Sequence, residues 1–211
     1  MTADLPAGPT APRPDQPVLI FLAGPNGSGK STFFAEYLAR LGVTYVNADE
    51  IARLLRTADP AAASGIIDRR AFDETERLRA ALLEAGLSFC TETVFSDPAG
   101  AKLQFLRTAR ARGFWTVLVF VGVDSAALSI ARVGQRVRHG GHDIPDATLQ
   151  ARFSRTLANL RAAIPLVDEA ILFDNSSFDT PYRVVAVYER GRLASRLRPL
   201  PAWTRGLPGL A

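Results

Sequence analysis

Continuous apolar runs alternate with stretches of helical spacing along most of this chain. Residues 17–23 read as a buried strand, and residues 31–41 follow with a helical pattern that Gly42 stops. Residues 43–47 read as a second strand. A helix then opens at Ala48-Asp49-Glu50, carries Ile51, Leu54 and Leu55, and is broken by Asp59-Pro60. After a small loop at 61–65, Asp68 is the expected cap of a longer helix with Phe72, Thr75, Leu78 and Leu82 on one face and Gly86 at its end. Residues 87–91 read as a third strand running into Glu92-Thr93, and Ser96-Asp97-Pro98 signals a helix that ends at Gly113. The run 114–121 is apolar throughout, as suits a parallel strand covered on both faces. Asp124-Ser125 caps the next helix, which carries Arg132, Arg136 and Arg138 and is interrupted at His139-Gly140-Gly141-His142. Pro145-Asp146 opens another, with Leu149, Phe153, Leu157 and Leu160 on one face, and residues 170–173 form a fifth strand ending in Asp174-Asn175-Ser176. Residues 182–190 and 193–198 flank Gly191 as an antiparallel hairpin at a sheet edge, and the Pro/Gly-rich stretch 199–211 reads as irregular.

The junction of the first strand and first helix carries Gly24-Pro25-Asn26-Gly27-Ser28-Gly29-Lys30-Ser31, followed by Thr32. This is G-x-x-x-x-G-K-[ST], the Walker A phosphate-binding loop of P-loop NTPases, in its strand–loop–helix setting. Gly27 and Gly29 let backbone amides approach phosphates closely, Lys30 supplies a cation for the β- and γ-phosphates, and Ser31 a hydroxyl for magnesium. Only two of the 25 basic residues are lysine, Lys30 and Lys102, so a chain that otherwise selects arginine has a slim point charge at the phosphate position.

Composition adds little to this. A 47% hydrophobic content supports a real core, and 211 residues fit one domain. The single cysteine, Cys90, excludes an intrachain disulfide; it fits a reducing cytoplasm and reads as a small core residue. No apolar run reaches a membrane-spanning length, so no membrane segment is expected. Charge is uneven: residues 1–100 hold nine basic and 13 acidic side chains, while residues 101–211 hold 16 and eight. A basic half attracts polyanions or acidic partners, or is a solvated arginine-rich surface; no interleaved aromatic platform for stacking bases is evident.

Phosphoryl transfer needs positioning, cations and a group that orients the nucleophile. Asp49, just past the second strand, stands where ligands bind in open α/β sheets and is a candidate base for an attacking hydroxyl; capping the next helix is the alternative. Glu92 follows the third strand in the same way and is a candidate for magnesium or acceptor binding, with Thr91 and Thr93 as weaker candidates on the same edge. Arg132 and Arg136 share a helical face and, with Arg138 and Gly140-Gly141, suggest a lid that neutralises transferring phosphate; Arg152 and Arg155 on the next helix are candidates to join them. His139 and His142 are too few for a structural zinc and read as loop residues.

The ordered set Gly24 to Thr32, Asn47-Ala48-Asp49-Glu50-Ile51-Ala52, Thr91-Glu92-Thr93, Arg132 to Arg138, Gly140-Gly141-His142 and Asp174-Asn175-Ser176 resembles the zeta toxin family of P-loop kinases. The resemblance covers about residues 17–176. It implies an ATP-dependent kinase that phosphorylates a sugar hydroxyl of UDP-N-acetylglucosamine and is restrained by a small antitoxin. It also implies Asp49 as base, Glu92 in acceptor binding, and Arg132 and Arg136 on ATP phosphates. The expected fold is a P-loop NTPase/kinase-like three-layer α/β sandwich with a mainly parallel five-stranded sheet and a C-terminal β-hairpin. The expected boundaries are a disordered leader over 1–16, a kinase domain over 17–180, and a hairpin and tail over 181–211 packed on the same domain. A kinase for another metabolite or for a nucleic-acid end, and a non-catalytic nucleotide-gated binding module, stand as alternatives.

Overall fold

The computed structural model describes residues 11–138 and 144–210. His139 and His142, read as loop residues, and Gly140-Gly141 of the expected lid lie outside the described residues, as does most of the expected leader. Residues 11–16 form a turn whose Gln16 side chain donates to the Gly113 carbonyl at 2.9 Å.

One seven-stranded sheet organises the chain, in the order β2-β3-β1-β4-β5-β6-β7. The strands are β1 (Val18–Ala23), β2 (Thr44–Val46), β3 (Phe89–Thr93), β4 (Trp115–Gly122), β5 (Glu169–Asp174), β6 (Arg183–Glu189) and β7 (Arg192–Arg196). The first five run parallel. The expected five-stranded sheet is therefore one part of a larger mixed sheet. The C-terminal hairpin joins its edge, with β6 antiparallel to β5 and β7 antiparallel to β6. A hairpin already presents a row of unpaired backbone groups, and pairing β6 with β5 satisfies them while covering the β5 edge.

The helices are α1 (Lys30–Phe33), α2 (Ala48–Ala58), α3 (Ser64–Ala85), α4 (Ala101–Ala111), α5 (Ala126–Arg138) and α6 (Asp146–Ala163). Helix α1 continues through a π turn, Phe34–Leu38, and a 3-10 turn, Ala39–Leu41, before Gly42 takes the left-handed conformation that closes the run. Two expected starts move. Helix α3 begins at Ser64 rather than at Asp68, because Ile67 and Ala71 pack with Ala52 of α2 and carry the helix back over the expected loop; Asp68 instead pairs with Arg56 at 2.9 Å. Helix α4 begins at Ala101 behind a left-handed Gly100, with Asp97 accepting only a long 3.4 Å bond from the Lys102 amide.

The core lies on both faces of the sheet. Phe21, Phe89, Leu118 and Phe120 pack one side with Leu106 of α4 and Leu160 of α6, and Ile20, Leu22, Val119 and Val121 pack the other with Phe33. Cys90 is buried there as a small apolar residue, and burial pushes its thiol up, away from reactive thiolate. The irregular tail carries core residues of its own. Trp203 is 4% exposed, lies against Phe120 with ring centroids 5.5 Å apart, and donates its indole N–H to Asp174 at 3.0 Å. Leu207 and Leu210 are buried in the same layer. Among the described residues, no helix is long and apolar enough to cross a membrane.

Candidate functional site

The parallel register builds the site. Strand β1 lies between β3 and β4, so the chain leaves it at the point where strand order reverses, the usual ligand crevice of open α/β sheets. Leu22 pairs with Glu92 and Ala23 with Thr93, which sets Glu92 beside the start of the loop 24–31. Val46 pairs with Thr91, so the next residue along β2, Asn47, comes level with Glu92.

The loop is boxed from outside. A Cβ on Gly24 would sit 2.2 Å from the Val121 carbonyl oxygen, and one on Gly29 would sit 2.6 Å from Asn175 Nδ2 and 2.8 Å from the Tyr182 hydroxyl. Asn175 donates to the Ser28 carbonyl at 2.8 Å, Tyr182 to the Gly29 carbonyl at 3.0 Å, and Ser129 to the Asn26 carbonyl at 2.7 Å. The carbonyls are thus tied down by surrounding side chains. Among the described residues, the backbone N–H groups of Gly27, Gly29, Lys30, Ser31 and Thr32 make no hydrogen bond to the protein. A row of idle donors around a buried cation is what a polyphosphate requires, so the residues fit that group.

Lys30 is 6% exposed; its ammonium donates to the Pro25 carbonyl at 3.0 Å and stands 3.9 Å from Glu92. Burial lowers its pKa, Glu92 and Asp49 oppose that shift, and the Arg136 guanidinium adds to it. Asp49 and Arg136 are therefore both within electrostatic reach of the loop lysine. Ser31 donates to Glu92 at 3.1 Å, so a hydroxyl and a carboxylate adjoin at the mouth of α1. No cluster of three or more His, Cys, Asp or Glu side chains suited to a metal occurs among the described residues. Magnesium at a nucleotide does not need one, since it takes one or two protein oxygens and completes its shell from phosphates and water. Ser31 and Glu92 fit that role.

Glu92 takes two further donors on the oxygen nearer Ser31. Its Oε2 accepts from the Tyr45 hydroxyl and from Asn47 Nδ2, the latter at 3.0 Å. Burial and the neighbouring carboxylate push the Tyr45 phenol well above its ordinary range, so it stays a donor. Asn47, not Asp49, caps α2: its side-chain oxygen accepts from the Asp49 amide at 2.7 Å and the Glu50 amide at 3.3 Å. Asp49 is left in the first turn with an exposed carboxylate on the wall of a cavity of about 510 Å³.

That cavity is lined by Asp49, Glu92 and Thr93 and also by Phe72, Lys102, Arg152 and Arg155. Two expectations change here. Phe72 was expected on the apolar face of α3, but it is 54% exposed and lines the cavity, because the buried face of the helix runs through Ala71, Thr75 and Leu82 and leaves Phe72 beside it. Arg152 and Arg155 stand on the cavity wall, with Arg155 Nε donating to the Ser96 carbonyl at 3.0 Å. Arg79 is a buried residue the sequence did not single out; it donates to Thr91 at 2.7 Å and to the Glu92 carbonyl at 3.0 Å, bracing the end of β3. An arginine amid the alternating charges of α3 carries no signal of this in the sequence. On α5, Arg132 donates to the carbonyls of Asn175 (2.7 Å) and Ser176 (3.3 Å) and lies 5.1 Å from the Phe178 ring centroid, whereas Arg136 is exposed.

The zeta toxin family profile matches residues 5–192. The chain belongs to the zeta toxin family. It is 28% identical over 134 residues to an uncharacterized protein of Haemophilus influenzae, a match covering 64% of this chain and 91% of that one. A crystal structure of AvrRxo1-ORF1:-ORF2 with ATP superposes with a TM-score of 0.67 at 19% identity, covering 85% of this chain and 60% of that one. This zeta toxin family member thus spans somewhat less than two thirds of that neighbour's length. The PezAT toxin–antitoxin system of Streptococcus pneumoniae superposes with a TM-score of 0.63 at 14% identity, over 84% of this chain and 72% of that one. At such identities these likenesses show the shared α/β fold.

Proposed function

We propose that this chain is an ATP-dependent kinase that moves the γ-phosphoryl group to a hydroxyl of a small acceptor, with UDP-N-acetylglucosamine the acceptor to test first. The observation that carries this reading is the row of unpaired amides at Gly27, Gly29, Lys30, Ser31 and Thr32 around a buried lysine, opening beside a carboxylate-walled cavity. The amides and Lys30 hold the β- and γ-phosphates. Magnesium, when bound through Ser31 and Glu92, neutralises charge on those oxygens.

Asp49 accepts the proton as the acceptor hydroxyl attacks phosphorus; the bond to the β-phosphate oxygen breaks and ADP leaves with that electron pair. Glu92 and Thr93 seat the acceptor in the cavity. Arg136, exposed and felt by Lys30, is the lid arginine for phosphate charge. Arg132 anchors α5 to the loop after β5 and so fixes the wall of the cradle. A small antitoxin partner, in keeping with the toxin–antitoxin system of the PezAT neighbour, and action in the cytoplasm are parts of the same proposal.

The test uses γ-labelled ATP with UDP-N-acetylglucosamine, other sugar nucleotides, small polyols and RNA bearing a free 5′-hydroxyl, comparing wild type with Asp49→Asn. Label transferred to one acceptor class by wild type and lost in the variant supports the reading. Equal labelling by both proteins removes Asp49 as the base. ATP binding with no transfer to any acceptor favours a nucleotide-gated binding module.

A further inference from the structure

Asn47 bonds to both acidic residues of the proposed site through opposite ends of one amide, to Asp49 at its backbone N–H and to Glu92 at its carboxylate. Its oxygen takes the N–H groups of Asp49 and Glu50, at 2.7 and 3.3 Å, and its nitrogen donates to Glu92 Oε2 at 3.0 Å and to the Tyr45 hydroxyl at 2.8 Å. Chemistry fixes this orientation: backbone N–H groups need an acceptor, a carboxylate needs a donor, and flipping the amide would place like against like on both sides. Both ends of the side chain are occupied, and Asn47 is only 7% exposed. Tyr45 completes a triangle with Asn47 and Glu92, and its ring is held by stacking on Phe34 at 3.6 Å.

Helix capping alone does not demand asparagine here. Serine, aspartate and threonine all cap, and aspartate would set a second carboxylate against Glu92. A serine or threonine hydroxyl cannot occupy the oxygen and the nitrogen positions of the amide together. Asparagine alone among the good capping residues presents an acceptor to α2 and a donor to Glu92.

We propose that Asn47 is a positioning residue that couples the base to the metal–phosphate centre: one side chain sets the first turn of α2, and so Asp49, while holding the Glu92 carboxylate toward Ser31 and Lys30. The inference rests on the kinase reading above. It predicts that the cap and the Glu92 contact can be separated. Asn47→Ser and Asn47→Thr keep the cap and lose the contact, so thermal stability stays near wild type while the tightening of ATP binding by magnesium falls about tenfold or more, the usual cost of removing an outer partner of a metal ligand. Tyr45→Phe, which removes another donor to the same oxygen, produces a loss of the same kind. Its combination with Asn47→Ser costs less than the two losses together, because both act on one carboxylate.

The experiment is calorimetric titration of ATP with and without magnesium into wild type, Asn47→Ser, Asn47→Thr, Tyr45→Phe and Glu92→Gln, with melting temperatures for each. Reduced magnesium coupling in either folded Asn47 variant supports the proposal. Wild-type coupling in those variants, alongside reduced coupling in Glu92→Gln, overturns it and leaves the kinase reading intact. No magnesium effect on ATP binding in the wild type, or none lost in Glu92→Gln, instead removes the assigned role of Glu92 and the proposal with it.

Discussion

Gly29→Ala is the substitution that most directly probes how the loop is held. Gly29 has φ of +92°, where an alanine loses about 1–2 kcal/mol to contact between its Cβ and backbone. The new Cβ would also sit 2.6 Å from Asn175 Nδ2 and 2.8 Å from the Tyr182 hydroxyl, closer than real contacts allow. Those two groups donate to the carbonyls of Ser28 and Gly29, and moving them away costs about 1 kcal/mol for each bond weakened. The sum is about 3–4 kcal/mol. At the ~2–4 °C per kcal/mol typical of chains this long, calorimetry should show melting lowered by roughly 5–15 °C. Asn175→Ala removes the nearer obstacle, so in the double variant part of the Gly29→Ala loss should disappear. A Gly29→Ala protein that melts within about 2 °C of wild type would refute the reasoning.

Lys30→Met is expected to leave the nucleotide-free protein at least as stable as wild type near neutral pH, because a buried ammonium is removed. The folded pKa of Lys30 lies below the 10.5 of a free lysine, so between the two values the unfolded chain holds the extra proton and wild-type stability rises with pH. The variant's advantage should narrow as pH rises through that window, and urea denaturation showing it widen would contradict this. Trp203→Ala should cost about 3–5 kcal/mol, since it empties a core site over Phe120 and Gly122 and removes one of the donors to Asp174 Oδ1, leaving Ser176 on that oxygen; equilibrium unfolding checks it. Asp49→Asn should lower the transfer rate by about 10²–10⁴-fold with ATP affinity unchanged, measured by paired kinetics and titration.

The phosphate loop was legible because its residues are dictated by one local geometry, and the parallel strands because unbroken apolar runs leave few alternatives. Helix starts were less legible. Asn47 and Asp49 are both good caps, and only the pairing of Val46 with Thr91 shows that Asn47 stands level with Glu92 and that Asp49 is left free. Asp68 looked like a cap, but the burial of Ile67 and Ala71 decided where α3 begins. The tail read as irregular, and it mostly is; the spacing of Trp203, Leu207 and Leu210 was the one sign that it is packed. The lid arginines looked equivalent by sequence, since residues four apart share a face. Tertiary contacts separate them: Arg132 is taken up by the carbonyls after β5, and Arg136 is left exposed near Lys30. The cavity could not be read at all, because Phe72, Lys102, Arg152 and Arg155 come from three helices far apart in the chain.

The account turns on whether the loop amides and Lys30 hold a nucleotide's terminal phosphates. Titration of ATP into wild type and Lys30→Met, each with magnesium, measures this directly. Saturable binding in the wild type, weakened by about tenfold or more in the variant as a charged hydrogen-bond donor is lost, is the predicted result. No saturable binding at millimolar ATP, or equal affinity in both proteins, would contradict it.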